Sequence, residues 1–470
     1  MVRIDMEWVA GVLGRAGLEK AAEKPGAAEG VSTDSRAIAP GSLFVAIRGD
    51  RYDGHDFLAE AVRGGASALV VFDGRRGEAE ALSGGMPVFA VKDTLEALQS
   101  LARAWCSRIS PRVVGITGTT GKTGTKDMIA SAVGRVRRVH ATKGNLNNHI
   151  GLPLTVLSMP GDTEVLVAEM GASGRGEIRN LCTIAPPSVG VITNIGPGHL
   201  ERFGSLKGVA VAKAELIEAL PEEGTAVLPA SGEFSDFLAG RTGAGVTTFG
   251  LGEEADVRIE DIESREGGGF RFRLLGEAME IRRYGRHNLL NAAAAAAAAG
   301  ALGVPAEETA AALAETGPEQ GRGRLFEIDG TTFVDESYNS NPDSLRAAVE
   351  AFMEMPVDGS RFLVLGDMLE LGDGSAELHA GIGVFCGRAG VDGILTLGSE
   401  TVELSREAAA QKRAPGYISH FIDVSTLAAN LETRLAPGDA VLVKGSRGMR
   451  METVMEEIEK MRSVRRRRVG

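Results

Sequence analysis

The chain has 470 residues, more than a single hydrophobic core absorbs, so two or three domains are expected. Hydrophobic residues at 43%, charged residues at 24% and a mean hydropathy of +0.00 exclude an intrinsically disordered chain and a membrane protein. A formal net charge of −12 opposes nucleic-acid binding, and Cys106, Cys182 and Cys386 are too far apart for zinc and fit reduced thiols.

The first residues, Met-Val-Arg-Ile-Asp-Met-Glu-Trp, lack the apolar stretch and small-residue cleavage site of an export signal, so a cytoplasmic protein is expected. Residues 1–107 read as a small α/β domain, with strands at 43–47, 68–72 and 87–91 and a helical pattern at 55–63. Just before the first strand, Ser32-Thr33-Asp34-Ser35-Arg36 carries donors and acceptors suited to a nucleobase or a phosphate, although such turns are commonly only turns. The stretch 49–55, Gly-Asp-Arg-Tyr-Asp-Gly-His, reads as a second contact loop with the same ambiguity.

The second segment, residues 111–316, opens with Val-Val-Gly-Ile-Thr-Gly-Thr-Thr-Gly-Lys-Thr-Gly-Thr-Lys at 113–126: an apolar strand, a glycine-rich turn and a helix start. We read it as a triphosphate cradle. Gly118 and Gly121 permit the turn, backbone N–H groups face phosphate oxygens, Lys122 supplies a charge and the Thr123 hydroxyl can ligate Mg²⁺. Ile116 stands where the strict Walker pattern has glycine, which leaves the shorter form Gly-x-x-Gly-Lys-Thr; the alternative is an ordinary strand-to-helix turn. Next come Gly-Asn-Leu-Asn-Asn-His-Ile-Gly at 144–151, whose Asn145, Asn147 and Asn148 are solvated or aimed at a polar ligand, and a strand at 165–170 carrying Glu169 at its end. A further strand at 188–194 precedes His199, so Glu169 and His199 are placed to face the glycine-rich loop. Alternation such as Phe270-Arg271-Phe272-Arg273-Leu274 predicts antiparallel ribbons over 255–284. Gly-Arg-His-Asn-Leu-Leu-Asn at 285–291 then starts an alanine-rich helix too short to span a bilayer. The third segment, residues 317–470, predicts a Rossmann-like sheet with strands at 361–365, 393–397 and 439–444. Its polar clusters include Gly323-Arg324, the stretch Asp-Glu-Ser-Tyr-Asn-Ser-Asn-Pro from Asp335, and Lys444-Gly445-Ser446-Arg447-Gly448. The basic run 465–468 reads as a solvated end.

These motifs, in this order and over nearly the whole chain, resemble the Mur ligases of peptidoglycan synthesis. Three stretches resemble the members that join D-alanyl-D-alanine to UDP-N-acetylmuramoyl-tripeptide: the loop at Asn145, Leu-Gly-Asp-Met-Leu-Glu-Leu-Gly at 365–372, and Tyr338-Asn339-Ser340-Asn341-Pro342. The Asp-Asn-Pro-Arg signature of the diaminopimelate- or lysine-adding members is absent. The resemblance implies an α/β protein of three domains: a UDP-sugar domain at 1–107, a central ATP domain with a P-loop-type mononucleotide-binding sheet at 111–316, and a Rossmann-like domain at 317–470. It implies ATP held by Gly118, Thr119, Thr120, Gly121, Lys122, Thr123 and Gly124, with Asn288 and Arg324 as further nucleotide contacts. Two Mg²⁺ are implied, ligated by Thr123, Glu169, His199 and a carbamate on Lys213, fourteen positions after His199. Lys122, His199, Lys213 and Arg324 are the catalytic set. Tyr338 and Asn339 are expected beside the nucleotide, with Glu336 where the family carries Asp and Asp335 as the alternative holder of that contact. Ser32, Asp34, Ser35, Arg36, Asn145, Asn147, Asn148, Lys444, Ser446 and Arg447 are the expected substrate contacts, and a monomer without membrane insertion is the expected state. The competing readings are another ligase of the superfamily, such as a folylpolyglutamate synthase, which lacks the first domain, and a P-loop switch that binds ATP without ligation.

Overall fold

The computed structural model describes residues 2–14, 26–49, 51–265, 268–317 and 320–469, with side chains to residue 466. Asp50, in the second expected contact loop, lies outside them. The first segment is built on a four-stranded parallel sheet in the order Val31–Ser32, Leu43–Val45, Ala68–Phe72, Val88–Val91, with an antiparallel pair Arg3–Asp5 and Ala27–Glu29 beside it. The helical pattern at 55–63 divides into a 3₁₀ turn, Gly54–Phe57, and a helix, Leu58–Arg63. Asp53 causes the division, because its carboxylate accepts from the His55 backbone and ring, while His55 Nε2 accepts from Phe72 N.

The helix Thr94–Ile109 is capped by Asp93, which accepts from Leu95 N and Glu96 N, and it ends at Ser110 in the left-handed region. Its buried face, Ala97, Leu98, Leu101, Trp105 and Cys106, packs on the helices Gly151–Leu157 and Glu177–Ile184 of the next segment. Trp105 Nε1 donates to Met159 O at 3.0 Å, and Trp8 meets its ring edge-on. The end of the first segment, expected at 107, is therefore a change in chain direction within one continuous apolar core.

The second segment carries a seven-stranded, all-parallel sheet in the order Val257–Arg258, Gly245–Gly250, Thr225–Pro229, Val189–Ile192, Arg112–Thr117, Val165–Glu169, Val139–Ala141. Its central strands are buried on both faces, which is why they read as unbroken apolar runs. The alanine helix His287–Ala301 lies against the helix Lys122–Gly134 and the sheet, with Ala292 to Ala299 all buried; short side chains let it approach closely. Among the described residues no helix is long and apolar enough to cross a membrane. The expected ribbons are Glu260–Ser264, Phe270–Leu274 and Glu277–Ile281, antiparallel, with Phe270, Phe272 and Leu274 inward and Arg271 and Arg273 outward.

The third segment holds a six-stranded sheet in the order Arg324–Ile328, Thr331–Glu336, Ala440–Lys444, Arg361–Gly366, Gly393–Leu397, Tyr417–Phe421, parallel except for its first pair. Apolar clusters cover both faces, as an α/β sheet requires. The basic end continues the helix Glu452–Val469, with Arg465 and Arg466 66% and 59% exposed. Buried Arg462 donates to Glu432 and to Ile328 O, Arg465 pairs with Glu432 and Arg466 with Asp329, so these cations fasten the helix to its own domain.

Candidate active site

The strand Arg112–Thr117 ends where the central sheet reverses its order. The chain leaves it toward Val139–Ala141 on one side and later returns on the other side at Val189–Ile192. Ligands of open α/β sheets bind at such a point, beyond the carboxyl ends of the strands. Residues 118–121 turn there into the helix Lys122–Gly134. Gly118 and Gly121 have φ of +152° and +79°. A Cβ on Gly118 would stand 1.9 Å from Thr193 Oγ1, and one on Gly121 2.3 Å from Asn291 Oδ1, so neither position admits a side chain. Gly121 gives the helix no side-chain cap, and the first N–H groups of such a helix end attract an anion.

The exit of the neighbouring strand fixes the loop. Asn194 Oδ1 accepts from the N–H groups of Thr119 (3.0 Å) and Thr120 (2.9 Å), and Asn194 Nδ2 donates to Thr120 Oγ1 at 2.6 Å. Thr193 Oγ1 donates to Thr120 O, and Thr119 Oγ1 bridges the N–H and carbonyl of Gly196. Thr119 and Thr120 thus turn their N–H groups inward, which leaves the anion-facing donors to the helix start. Lys122 Nζ folds back on the carbonyls of Gly118 (2.9 Å) and Thr119 (3.3 Å). Burial lowers its pKa, against the pull of the Glu169 carboxylate, and the nearby Arg322 charge lowers it further.

Glu169, 2% exposed, accepts from Thr123 Oγ1 at 2.8 Å through one oxygen and from Asn147 Nδ2 at 2.7 Å through the other. A hydroxyl beside a carboxylate is a hard-oxygen pair that suits Mg²⁺, which takes one or two protein oxygens and completes its shell from phosphates and water. His199 follows the next strand with φ of +52°, and its Nδ1–H donates to Glu370 Oε2 of the third segment at 2.5 Å. Lys213, in the helix Leu206–Glu218, is 4% exposed and has no hydrogen bond or ion pair among the described residues. Burial drives its pKa well below the ordinary lysine value, and the Lys122 charge adds to the shift. Burial also lowers His199, Glu370 opposes, and Lys122 and Lys213 lower it again. These mutual effects put Lys122, His199 and Lys213 within one another's fields, with Glu169 acting on Lys122.

The third segment closes one side. Glu336 pairs with the buried ammonium of Lys444 at 3.2 Å, and the same Nζ donates to Asn339 O at 3.0 Å. The Asp335 carboxylate is engaged elsewhere, accepting from Gly321 N, Ser337 N and Ser337 Oγ, so the Glu336 carboxylate is the one that meets Lys444 and acts on His287. Tyr338 is covered by Arg322, whose guanidinium carbon is 3.9 Å from the ring centroid, with Arg447 at 5.9 Å. The structure does not bring Arg324 to the loop: it is exposed and lies over Phe326, while Arg322 two positions earlier acts on Lys122. Ser446 Oγ joins Ser340 O to Leu369 N and so tethers two loops, and Arg447 pairs with Glu452.

The remaining expected contacts are dispersed. Asp34 caps the turn Ser35–Ala37 and pairs with Arg36, which is 81% exposed; that hydrogen bond holds the Asp34 carboxyl below its usual range. Ser32 Oγ donates to Asp34 O and Ser35 Oγ to Glu60, and the turn follows the carboxyl end of Val31–Ser32. Of the three Asn, Asn147 orients Glu169, Asn148 accepts from Ile150 N and Gly151 N at a helix start, and Asn145 is exposed. Asn288 donates to Tyr284 O and accepts from Asn291 Nδ2. Sequence reasoning missed Asn194, Asn291, Arg322 and Arg283, whose guanidinium would stand 3.4 Å from a Cβ on Gly124. Asn291 was legible as the end of a quoted motif. The other three carry no local signal, because their partners lie far away in sequence.

An uncapped helix end after a glycine turn, beside a hydroxyl–carboxylate pair at a sheet switch point, defines the class: an α/β protein that binds a nucleoside phosphate. Residues 28–105 match the Mur ligase family, catalytic domain, residues 116–299 the Mur ligase middle domain, and residues 321–447 the Mur ligase, glutamate ligase domain. A relative from Bacillus subtilis (strain 168), named UDP-N-acetylmuramoyl-tripeptide:D-alanyl-D-alanine ligase, is 36% identical over 431 residues, covering 91% of this chain and 93% of the relative. The crystal structure of MurF from Acinetobacter baumannii superposes with a TM-score of 0.85 at 28% identity, covering 97% of this chain and 99% of that one. MurF from Thermotoga maritima in complex with ADP gives 0.80 at 32% identity, covering 93% and 98%. The chain belongs to the Mur ligase family, whose members are ATP-dependent ligases.

Proposed function

We propose that this chain joins D-alanyl-D-alanine to UDP-N-acetylmuramoyl-tripeptide, converting ATP to ADP and phosphate, as a cytoplasmic monomer in peptidoglycan precursor synthesis. The observation that carries the reading is the coupling of Lys122, Thr123 and Glu169 at the sheet switch point in a chain similar over 91% of its length to a ligase of that name. The separate parallel sheet of the first segment favours this reading over a folate ligase.

The tripeptide carboxylate is a poor electrophile. It attacks the γ-phosphorus of ATP, the bond to the bridging oxygen breaks, and ADP leaves an acyl phosphate behind. The dipeptide amine, having lost its proton, adds to the acyl carbon, and the tetrahedral intermediate expels phosphate as the amide forms. The first step brings anions together, so the protein's part is to supply donors and cations. The helix start at 121–124 receives phosphate oxygens, and Lys122 exchanges the carbonyls of Gly118 and Thr119 for them. Thr123 and Glu169 would hold one Mg²⁺, and His199 with a carbamate on Lys213 would hold the second. When bound, Mg²⁺ neutralises charge on the transferring phosphoryl group. Arg322, with Asn288, Glu336, Tyr338 and Asn339, flanks the nucleotide, and the turn 32–36 receives the UDP-sugar. Water would hydrolyse the acyl phosphate, so the third segment excludes it by closing on the second.

The surroundings of Lys213 support the carbamate reading. An ammonium buried with no partner among the described residues and within the field of Lys122 is costly, and beside a metal it would repel the ion. Loss of one proton gives the free amine, and its addition to CO₂ with loss of a second proton gives an anion with two ligating oxygens.

The test is ADP and phosphate release from the purified protein. Release should need the tripeptide nucleotide, the dipeptide and Mg²⁺ together. Turnover with UDP-N-acetylmuramoyl-dipeptide and diaminopimelate instead would refute the assignment, and light scattering checks for a single-chain mass.

A further inference from the structure

The loop 366–372 has no role in the account above, yet it is among the most firmly built pieces of the third segment. Asp367 Oδ1 accepts from Glu400 N (3.0 Å) and Thr401 N (2.8 Å) at a helix start, and Asp367 O accepts from Ser446 N. Met368 N donates to Nε2 of fully buried His379, whose Nδ1–H donates to Ser375 O. Leu369 N donates to Ser446 Oγ at 2.8 Å. Asp367, Met368 and Leu371 are buried, which anchors the loop on both sides of Leu369 and Glu370. Gly372 then passes so close to the central segment that a Cβ on it would stand 3.1 Å from Glu201 Cα.

What this framework holds out is Glu370. Its backbone has φ of +63°, a conformation that side chains other than Asn and Asp rarely adopt, and its partner His199 has φ of +52°. Strained backbone on both sides of a 2.5 Å bond between two segments is not explained by stability, because the side chains are 63% and 41% exposed and exposed pairs contribute little. The chemistry of the bond is informative. A carboxylate only accepts, so the proton lies on His199 Nδ1, and a neutral ring then keeps its one lone pair on Nε2. Metal-binding histidines are commonly oriented in this way by a carboxylate on the other ring nitrogen.

We propose that Glu370 is the positioning residue of the second metal site: by accepting from His199 Nδ1 it fixes the tautomer and ring orientation that present Nε2 to the ion. Because Glu370 belongs to the third segment and His199 to the second, the site is complete only when the two segments are closed on each other. Second-metal binding and closure are therefore one event, and the second ion is held tightly only in the closed form. The inference rests on the reading of His199 as a metal ligand.

The experiment is titration with Mn²⁺, as a spectroscopic stand-in for Mg²⁺, of the full chain carrying a non-hydrolysable ATP analogue, read by electron paramagnetic resonance. The unsubstituted protein should bind two ions. Glu370→Ala should weaken the second ion by about tenfold or more and leave the first ion and the nucleotide unchanged, while Glu370→Gln, which keeps an acceptor, should recover part of the loss. Two ions bound by Glu370→Ala with unaltered affinity would overturn the inference, as would equal losses at both sites. A single ion bound by the unsubstituted protein would overturn the metal reading of His199 beneath it, which separates the two failures.

Discussion

The central segment meets its two neighbours in opposite ways. Toward the first segment it shares an apolar core in which Leu98, Leu101 and Trp105 pack with Leu152, Leu157 and Leu181, and the one polar atom of Trp105 is satisfied by Met159 O. Toward the third segment the junction is largely polar: His199 with Glu370 and Arg286 with Glu354 are exposed pairs, and half-buried Asp343 lies against Gly196. Tyr284 adds an apolar contact there, buried with the third segment's core. Continuous apolar burial resists separation because every part of it would be wetted at once, whereas exposed ion pairs exchange readily with water. The first junction resists separation, and the second is the one whose parting the proposed reaction can use to admit nucleotide and dipeptide.

The comparison is broken most severely at Trp105. Trp105→Ala should cost about 3–5 kcal/mol of stability, measured by denaturant unfolding, and should weaken the first and central segments together. A loss confined to one of them would mean that the core is not shared. At the other junction the large effects should fall on rate. Lys122→Ala should lower kcat by roughly 10²-fold or more, about 3 kcal/mol of barrier, with an unchanged unfolding midpoint. Lys213→Ala should lose at least about tenfold in activity, since even indirect supports of a metal site carry that weight, and short carboxylates should restore part of it. Unaided activity equal to that of the unsubstituted protein would exclude the carbamate as a requirement. The smallest effect belongs to Arg286→Ala, whose pair with Glu354 is more than half exposed on both sides; stability should fall by less than about 1 kcal/mol. A larger loss would show that the second junction is not designed to part.

Much of the active centre was legible because its signals are local. A glycine turn after an apolar strand, a lysine and threonine opening a helix, and a glutamate ending the next strand each declare themselves within a few residues. The structure then brought Thr123 and Glu169 within hydrogen-bond distance. The third-segment contacts were less legible. Asp335 and Glu336 are adjacent and chemically alike, and only the alternation of the strand Thr331–Glu336 decides which carboxylate meets Lys444 and which is spent on the loop at Gly321. Arg322 and Arg324 pose the same problem across a glycine.

The sequence by itself determined the three-segment order, the parallel sheets, the phosphate loop and the family, because strand periodicity and turn chemistry act over a few residues. Only the tertiary structure decided that Asn194 clasps the loop, that the helix Thr94–Ile109 merges with the central core, and that Glu370 reaches His199. Each of these is a contact between residues tens to hundreds of positions apart. Such contacts arise when whole faces bury together, and no local pattern encodes which distant side chain will be opposite.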